Sequence, residues 1–366
     1  MAESLKKLTL KGFKSIESLV DFELRPLNIL IGANGSGKSN LVDFFRMLRA
    51  MANEGLQSFV AERGGADGFF YMGPKQTPKI SARLDFGEYA YEFDLAATVS
   101  SGIMFRRQMA QMAGMEYPVP GVSECGLREF QGALHSHLGE TRAPDFFEAI
   151  SNRTVYHFND TSLLAPMRRP HLVHDRAALR DDASNIAPFL LKLREEYKPS
   201  YELVRDTVRQ IAPFFDEFIL EPKGGEFDDI VHLQWRQKGS DFPFQAYQLS
   251  DGMIRFICLA TALLQPQPPA TIVIDEPELG LHPFAIGLLA NLIQSAAERT
   301  QVIVSTQSPT LLDQFNDPED IIVVNREAGH STFVRLKADD LKEWMEDYSV
   351  AELWQKDVLR GGPVNE

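Results

Sequence analysis

Cysteine is nearly absent: 366 residues contain two, Cys125 and Cys258. That excludes a disulfide framework, and with no metal-like pairing it excludes a cysteine-based zinc site. Cys258 lies in the apolar run 256–260 and reads as a small core residue. No apolar run approaches the roughly 20 residues of a membrane span. No apolar segment follows Lys6 and Lys7, so a secretory leader is not expected. Basic residues are in deficit, 37 Lys+Arg against 51 Asp+Glu, for a net charge of -14. A wholly basic nucleic-acid surface is thereby excluded, though a local patch is not. Tandem repeats, heptad arrays and low-complexity tracts are missing as well. What remains is ordinary globular material, 44% hydrophobic and 24% charged. The expectation is a soluble, cytoplasmic protein with no membrane partner. Its length suits two domains, or one large domain with an insertion.

Periodicity divides the chain. Residues 5–10 and 16–24 alternate and predict two strands around a turn at Gly12. Residues 27–31 predict a short buried strand that enters a Gly-rich loop and then a helix over 39–51. Residues 79–86 and 89–98 predict a hairpin closed by Gly87-Glu88. From 101 to 213 the texture is Met-rich and then mostly helical, with one short strand at 154–158. Strands at 218–221 and 230–237 precede a helix over 253–264. Then a strand (271–274), a helix (284–299), a strand (302–305), a short helix (310–315) and a strand (321–324) follow. This alternation predicts a parallel, helix-covered sheet. The expected fold class is α/β. An N-terminal lobe over 1–100 and a C-terminal lobe over 214–366 form one nucleotide-binding body, split by a mainly helical insertion over 101–213.

The strongest motif is Gly32-Ala33-Asn34-Gly35-Ser36-Gly37-Lys38-Ser39. It fits G-x-x-x-x-G-K-[ST] in full, between a predicted strand and a predicted helix. Backbone N–H groups around Gly35 and Gly37 can turn inward only where side chains are absent, making a nest for phosphate oxygens. The helix N-terminus adds its dipole. In such a loop Lys38 neutralises the β- and γ-phosphates of ATP, and the Ser39 hydroxyl ligates Mg²⁺. Residues 271–277 end a β-branched strand on Asp275 and Glu276, at the sheet edge where α/β folds bind ligands. Asp275 suits the Mg²⁺ shell, and Glu276 suits the base that polarises water. Taken alone, the pair would serve equally well as a cap for the next helix. Leu249-Ser250-Asp251-Gly252-Met253 opens a helix and by itself is an ordinary N-cap.

Order and spacing change the weight of these segments. Together they resemble the ABC-type ATPase heads of the SMC, RecF and OLD-like group. The resemblance rests on residues 8–15, on the P-loop from Gly32 to Asn40 and on residues 275–283. It covers about two thirds of the chain, at its two ends. In the middle, residues 155–162 and 182–185 look like compact, nuclease-less bacterial members. The resemblance implies nucleotide contacts from Gly32 through Asn40, with Lys14 and Ser15 approaching the nucleotide. It implies ATP sandwiched between two copies, Ser250 and Gly252 reaching the γ-phosphate held by the other P-loop. A second helix N-terminus aimed at the same phosphate makes ATP the glue of a homodimer, and loss of that phosphate opens it.

Two departures from transporter-type heads matter. Asp251 stands where those usually have Gly, and Met253 where they often have Gln, which favours the SMC/RecF side. Gln307, in residues 304–309, stands where they usually place His. A neutral amide can hydrogen-bond the γ-phosphate or its water but carries no positive charge. Slow hydrolysis is therefore expected, although a polar helix start also explains Gln307. His282 could take part, but helix entry before Pro283 explains it equally well.

Weaker features fill out the reading. His135 and His137 have strand-like metal spacing, with nothing to complete a site. Gln57 and Gln76 are candidates for a glutamine loop. Arg106-Arg107 and Arg168-Arg169 are basic spots that DNA could meet. Heptads for an SMC arm are missing, and the roughly 40 residues after Asn325 fall below the ~50 of a small nuclease domain. Asp339-Asp340 reads as a solvated helix turn. The expected function is an ATPase switch whose homodimer controls a separately encoded effector or nuclease, in anti-phage defence or DNA processing. A RecF-like DNA-binding repair ATPase is the alternative. A transporter subunit is disfavoured by Asp251, Gln307 and the insertion.

Overall fold

The computed structural model describes residues 4–138, 144–224 and 229–359. The first part of the chain runs β1 (Lys7–Phe13), β2 (Ile16–Glu23), β3 (Leu27–Ile31), α1 (Lys38–Ala52), α2 (Leu56–Glu62), β4 (Ile80–Asp85), β5 (Tyr89–Ala97), β6 (Ile103–Met112), β7 (Met115–Pro118), α3 (Leu127–Leu138), α4 (Phe146–Ser151), β8 (Arg153–Tyr156) and β9 (His171–Leu172). It continues α5 (Ile186–Glu196), α6 (Lys198–Ile211), β10 (Phe215–Ile219), β11 (Ile230–Val231), β12 (Gln234–Gln237), β13 (Pro243–Gln245), α7 (Asp251–Leu264), β14 (Thr271–Asp275), α8 (Pro283–Ala297), β15 (Gln301–Thr306), α9 (Pro309–Leu312), β16 (Ile321–Glu327), β17 (His330–Arg335), α10 (Ala338–Leu341) and α11 (Val350–Gln355).

Two six-stranded sheets carry the fold. The central one has the order β17-β16-β3-β15-β14-β8. Its strands from β16 to β8 are parallel, and β17 returns antiparallel. The second, β2-β1-β4-β5-β6-β7, is antiparallel throughout. Successive side chains of a strand point to opposite faces, and both faces of the central sheet are covered. Leu30, Val273, Ile303, Ile322 and Val324 join a core with α1 and the antiparallel sheet. Ile29, Ile272, Ile274, Val302, Val304 and Val323 join a second core with α5 to α8. Burial on both faces is why β3, β14 and β15 are near-continuous apolar runs. Among the described residues no helix is long and apolar enough to cross a membrane.

The structure departs from the expected layout in the first half. The turn between β1 and β2 falls at Lys14–Ser15, and Gly12 lies inside β1. A Cβ at Gly12 would sit 2.7 Å from the Lys79 carbonyl oxygen, so this glycine serves a close approach and not a turn. Residues 101–213 hold more helix, α3 to α6, than strand, but the segment is not separate from the two sheets. Its first strands, β6 and β7, extend the antiparallel sheet, so a boundary at 100 would cut the β5–β6 hairpin. Further on, β8 is an edge strand of the central sheet. His135 lies on helix α3, not on a strand, and its Nε2 is 2.6 Å from Gln131 Nε2.

Candidate active site

The Gly-rich loop links β3 to α1 at the C-terminal edge of the central sheet. Its glycines are used differently. Gly35 has φ 80° and open space beside it, so it supplies backbone conformation. Gly37 has φ 114°, and a Cβ there would overlap the Ser331 side chain. A Cβ on Gly32 would overlap the Val324 carbonyl. The loop is thus pressed against the β16–β17 hairpin. Ser331 Oγ donates to the Ser36 carbonyl (2.6 Å) and lies 2.6 Å from Ser15 Oγ. Asn40 Nδ2 donates to Ser15 Oγ at 2.6 Å. A hydroxyl has one proton, so the chain runs one way, from Asn40 through Ser15 and Ser331 to the Ser36 carbonyl. Ser36 Oγ is buried without a partner, an orphan that suits a ligand.

Lys38 is only 4% exposed. Its Nζ curls back over the loop, donating to the carbonyls of Gly32 (2.6 Å) and Ala33 (3.0 Å). Burial lowers its pKa, while Glu276, Asp275 and Glu278 pull the other way. Asn34 and Ser39 are exposed; Ala33 and Asn40 are half-buried.

The three carboxylates sit where β14 ends. The β14–β15 ladder closes at Asp275↔Ser305, and side chains then continue the pairing. Ser305 Oγ donates to Asp275 Oδ1. Gln307 Nε2 donates to Glu276 Oε1. Thr306 Oγ1 (2.5 Å) and the Gln307 N–H (3.3 Å) both donate to Glu278 Oε1. Glu276 has φ 47°, a left-handed backbone that costs a non-glycine residue on the order of 1 kcal/mol. Lys14, Asp21, Glu54 and Asp357 share this conformation, so it is the position of Glu276 at the end of β14, and not the strain alone, that singles it out. Burial pushes the Glu278 carboxyl up, against the hydrogen bonds from Thr306 and Gln307.

The signature segment is built to face outward. Ser250 is exposed and caps α7, its Oγ accepting from the Met253 N–H at 3.3 Å. A Cβ on Gly252 would sit 2.6 Å from the Gly280 carbonyl oxygen, so the glycine lets α7 approach the loop after β14. Among the described residues neither Ser250 nor Gly252 bonds to the P-loop. Behind them, Arg168 NH1 donates to the carbonyls of Ala246 (2.6 Å) and Leu249 (3.0 Å), and its NH2 to Asp251 Oδ1 (2.8 Å). Arg255 donates to the carbonyls of Phe158 (2.9 Å) and Asn159 (3.0 Å), and also to that of Leu279.

The fold therefore gathers Gly32 to Asn40, Asp275, Glu276 and Gln307 at one sheet edge and sets Ser250 and Gly252 apart. The other residues singled out in the sequence have these partners. Lys14 is held by Asp43 at 2.5 Å. Gln57 Nε2 is spent on the carbonyls of Ile103 and Ser123. His282 caps α8 through Nδ1. Arg168, read as part of a basic spot, has a side chain only 3% exposed. Ser331, Arg255 and Glu278 had no role from sequence. Only Glu278 carried a signal, a third carboxylate within four positions.

The donor set also bears on Mg²⁺. Among the described residues no cluster of three or more His, Cys, Asp or Glu could hold a metal ion. One carboxylate, Asp275, and one hydroxyl, Ser39, at this sheet edge would be a donor set that suits Mg²⁺, which keeps waters and takes phosphate oxygens as further ligands.

Comparison with known proteins agrees with this geometry. Residues 27–98 and 129–313 match the family described as "AAA domain, putative AbiEii toxin, Type IV TA system". The chain is similar to the chromosome partition protein Smc of Mycolicibacterium paratuberculosis, 31% identical over 137 residues, 36% of this chain and 10% of that protein. It is similar to the phosphate import ATP-binding protein PstB of Ehrlichia ruminantium, 32% identical over 89 residues, 23% of this chain and 34% of that one. The matches thus span about a tenth and a third of those relatives' lengths. Among solved structures, an Smc head bound to the C-winged helix domain of ScpA aligns with TM-score 0.59 at 16% identity, covering 93% of this chain and 99% of that one. That likeness shows the fold, an ABC-type P-loop NTPase head. The family match takes in more than two thirds of the chain, which belongs to this AAA-domain family of ABC/SMC-like ATPases.

Proposed function

We propose that the protein is a Mg²⁺-dependent ATPase that works as a switch, two copies closing over ATP and opening after hydrolysis. The observation that carries the reading is the constellation at the strand ends: Glu276 held by Gln307, with Asp275 and the buried Lys38 at the same edge.

Lys38 rests on two loop carbonyls and would exchange them for β- and γ-phosphate oxygens. Mg²⁺, held by Asp275 and Ser39, would supply charge neutralisation at those oxygens. Glu276 is the base that orients and deprotonates the attacking water. A carboxylate only accepts hydrogen bonds, so Gln307 turns its amide N–H₂ to Glu276. Its own carbonyl oxygen is left to accept from the same water, and two acceptors fix the nucleophile better than one. A neutral amide stabilises developing phosphate charge less than a cation would, which supports slow turnover.

The exposed start of α7, with Ser250 and Gly252, would meet the γ-phosphate bound by the second copy. An effector or nuclease encoded separately would read the closed state. The family description, which names a putative AbiEii toxin and a Type IV TA system, supports a role in defence. The Smc head's complex with a protein domain and the net charge of -14 both support a protein partner over direct DNA binding. Glu276→Gln tests the reading. It keeps the shape but removes the base, so hydrolysis should fall about 10²–10⁴-fold while an ATP-bound dimer accumulates. A monomer by light scattering at saturating Mg-ATP would sink the sandwich.

A further inference from the structure

Backbone pairing ends at Asp275↔Ser305 toward β14, with the Glu276 N–H on the Ser305 carbonyl at 2.9 Å, and at Thr306↔Ile31 toward β3, which leaves the Gln307–Ser308 turn beyond the ladders. Yet that turn must place the Gln307 amide on Glu276. One side chain ties it down. Glu278 is 8% exposed, and its Oε1 receives both the Thr306 hydroxyl and the Gln307 backbone N–H. Thr306 Oγ1 in turn accepts the Ser308 N–H at 3.0 Å, and Ser308 Oγ caps α9 by accepting from Leu311 at 3.2 Å. Apart from the Gln307 amide on Glu276, the side-chain contacts that shape the turn thus lead back to one carboxyl oxygen. The base Glu276 itself has the left-handed backbone, two positions before this anchor, so the two carboxyls share one bent segment.

We propose that Glu278 is a positioning residue, whose acceptor oxygen holds Gln307 against the base Glu276. This rests on the hydrolytic reading above. The role needs an acceptor and not a charge. Oε2 is buried without a partner, and burial together with the neighbouring Glu276 favours the neutral acid. A neutral carboxyl still offers Oε1 to both donors, and so does an amide oxygen.

Steady-state hydrolysis and Mg-ATP binding by the full chain decide the matter, with wild type and Glu276→Gln run alongside. Glu278→Ala should lower kcat about 10- to 100-fold, the cost of a misplaced reacting group. Its KM for ATP should stay within about threefold, because the P-loop is not touched. Glu278→Gln should restore kcat to within about threefold of wild type. Thr306→Val, which removes one donor at nearly constant shape, should fall with Glu278→Ala. It replaces that variant in the comparison if melting shows Glu278→Ala unfolded. Wild-type kcat in either truncation overturns the proposal. So does a Glu278→Gln enzyme as slow as Glu278→Ala. A wild-type protein that binds ATP but never hydrolyses it overturns the hydrolytic reading instead, and the proposal with it.

Discussion

The P-loop and the signature segment are both helix starts marked by Ser and Gly, yet the chain treats them oppositely. At the P-loop, Lys38 is buried, Gly37 is pressed on Ser331, and a directed chain of hydroxyls reaches the Ser36 carbonyl. At the signature, Ser250 and Asp251 are exposed, and the buried carbonyls behind them are braced by Arg168 and Arg255. The first is a site preorganised within one chain. The second has an exposed face and, under the proposed sandwich, would be a half-site completed by another copy. Preorganisation lowers the ordering cost of binding, and in that reading only the P-loop has all its parts in cis.

The sharpest way to break this contrast is at the P-loop. Lys38→Ala removes the buried charge that would turn from the Gly32 and Ala33 carbonyls to phosphate, an expected loss of about 2–5 kcal/mol in nucleotide affinity. Calorimetric titration with Mg-ATP should then show no saturable binding at concentrations that fill wild type. Unchanged affinity would refute the assignment.

The next test is on the signature side. Arg168→Ala cuts three carbonyl bonds, to Thr161, Ala246 and Leu249, and the ion pair to Asp251. In a Glu276→Gln background the ATP-dependent dimer should weaken about 10- to 100-fold, in line with lost hydrogen bonds from a charged group. Affinity of the monomer for ATP should not change. Light scattering reads the first quantity and titration the second. If both fall together, the two regions are not separable as described.

What the sequence revealed follows the same line. The P-loop and the strand ending at Asp275 are local: a motif of eight residues and a continuous apolar run each state their structure. Their braces are not local. Ser331 meets Ser36 across 295 positions, and no periodicity announces such a pairing. β6 was hidden for another reason. Its buried positions, Ile103 and Phe105 and then Gln108, Ala110 and Met112, slip phase at Arg106-Arg107, where a bulge interrupts the pairing with β5. A strand that changes phase loses the alternation by which strands are read. Arg168 misled because a charge in a short basic run reads as solvated, whereas this one is satisfied by carbonyls inside the fold.

The smallest predicted effect concerns stability on the P-loop side. Asp43, on α1, accepts from Lys14 at 2.5 Å and Arg46 at 2.7 Å. Burial alone would raise its pKa, but the hydrogen bonds and charges of Lys14 and Arg46 outweigh it, and the net shift is downward. A carboxyl whose folded pKa lies below its unfolded value stabilises the fold fully above about pH 4, and the contribution disappears as pH falls through the folded value. Asp43→Asn should therefore cost about 1 kcal/mol at pH 7, the low end for hydrogen bonds to a charged group in a partly exposed pair. The difference from wild type should shrink in urea melts as pH is lowered below 4. On the signature side the carboxylate of the Arg168 pair is 71% exposed. Asp251→Asn should accordingly change stability by less than about 0.5 kcal/mol. A constant Asp43 difference across pH would mean that the side chain acts by shape alone. An Asp251 effect as large as that of Asp43 would mean that the signature is held together by its exposed face and not by the carbonyl bonds behind it.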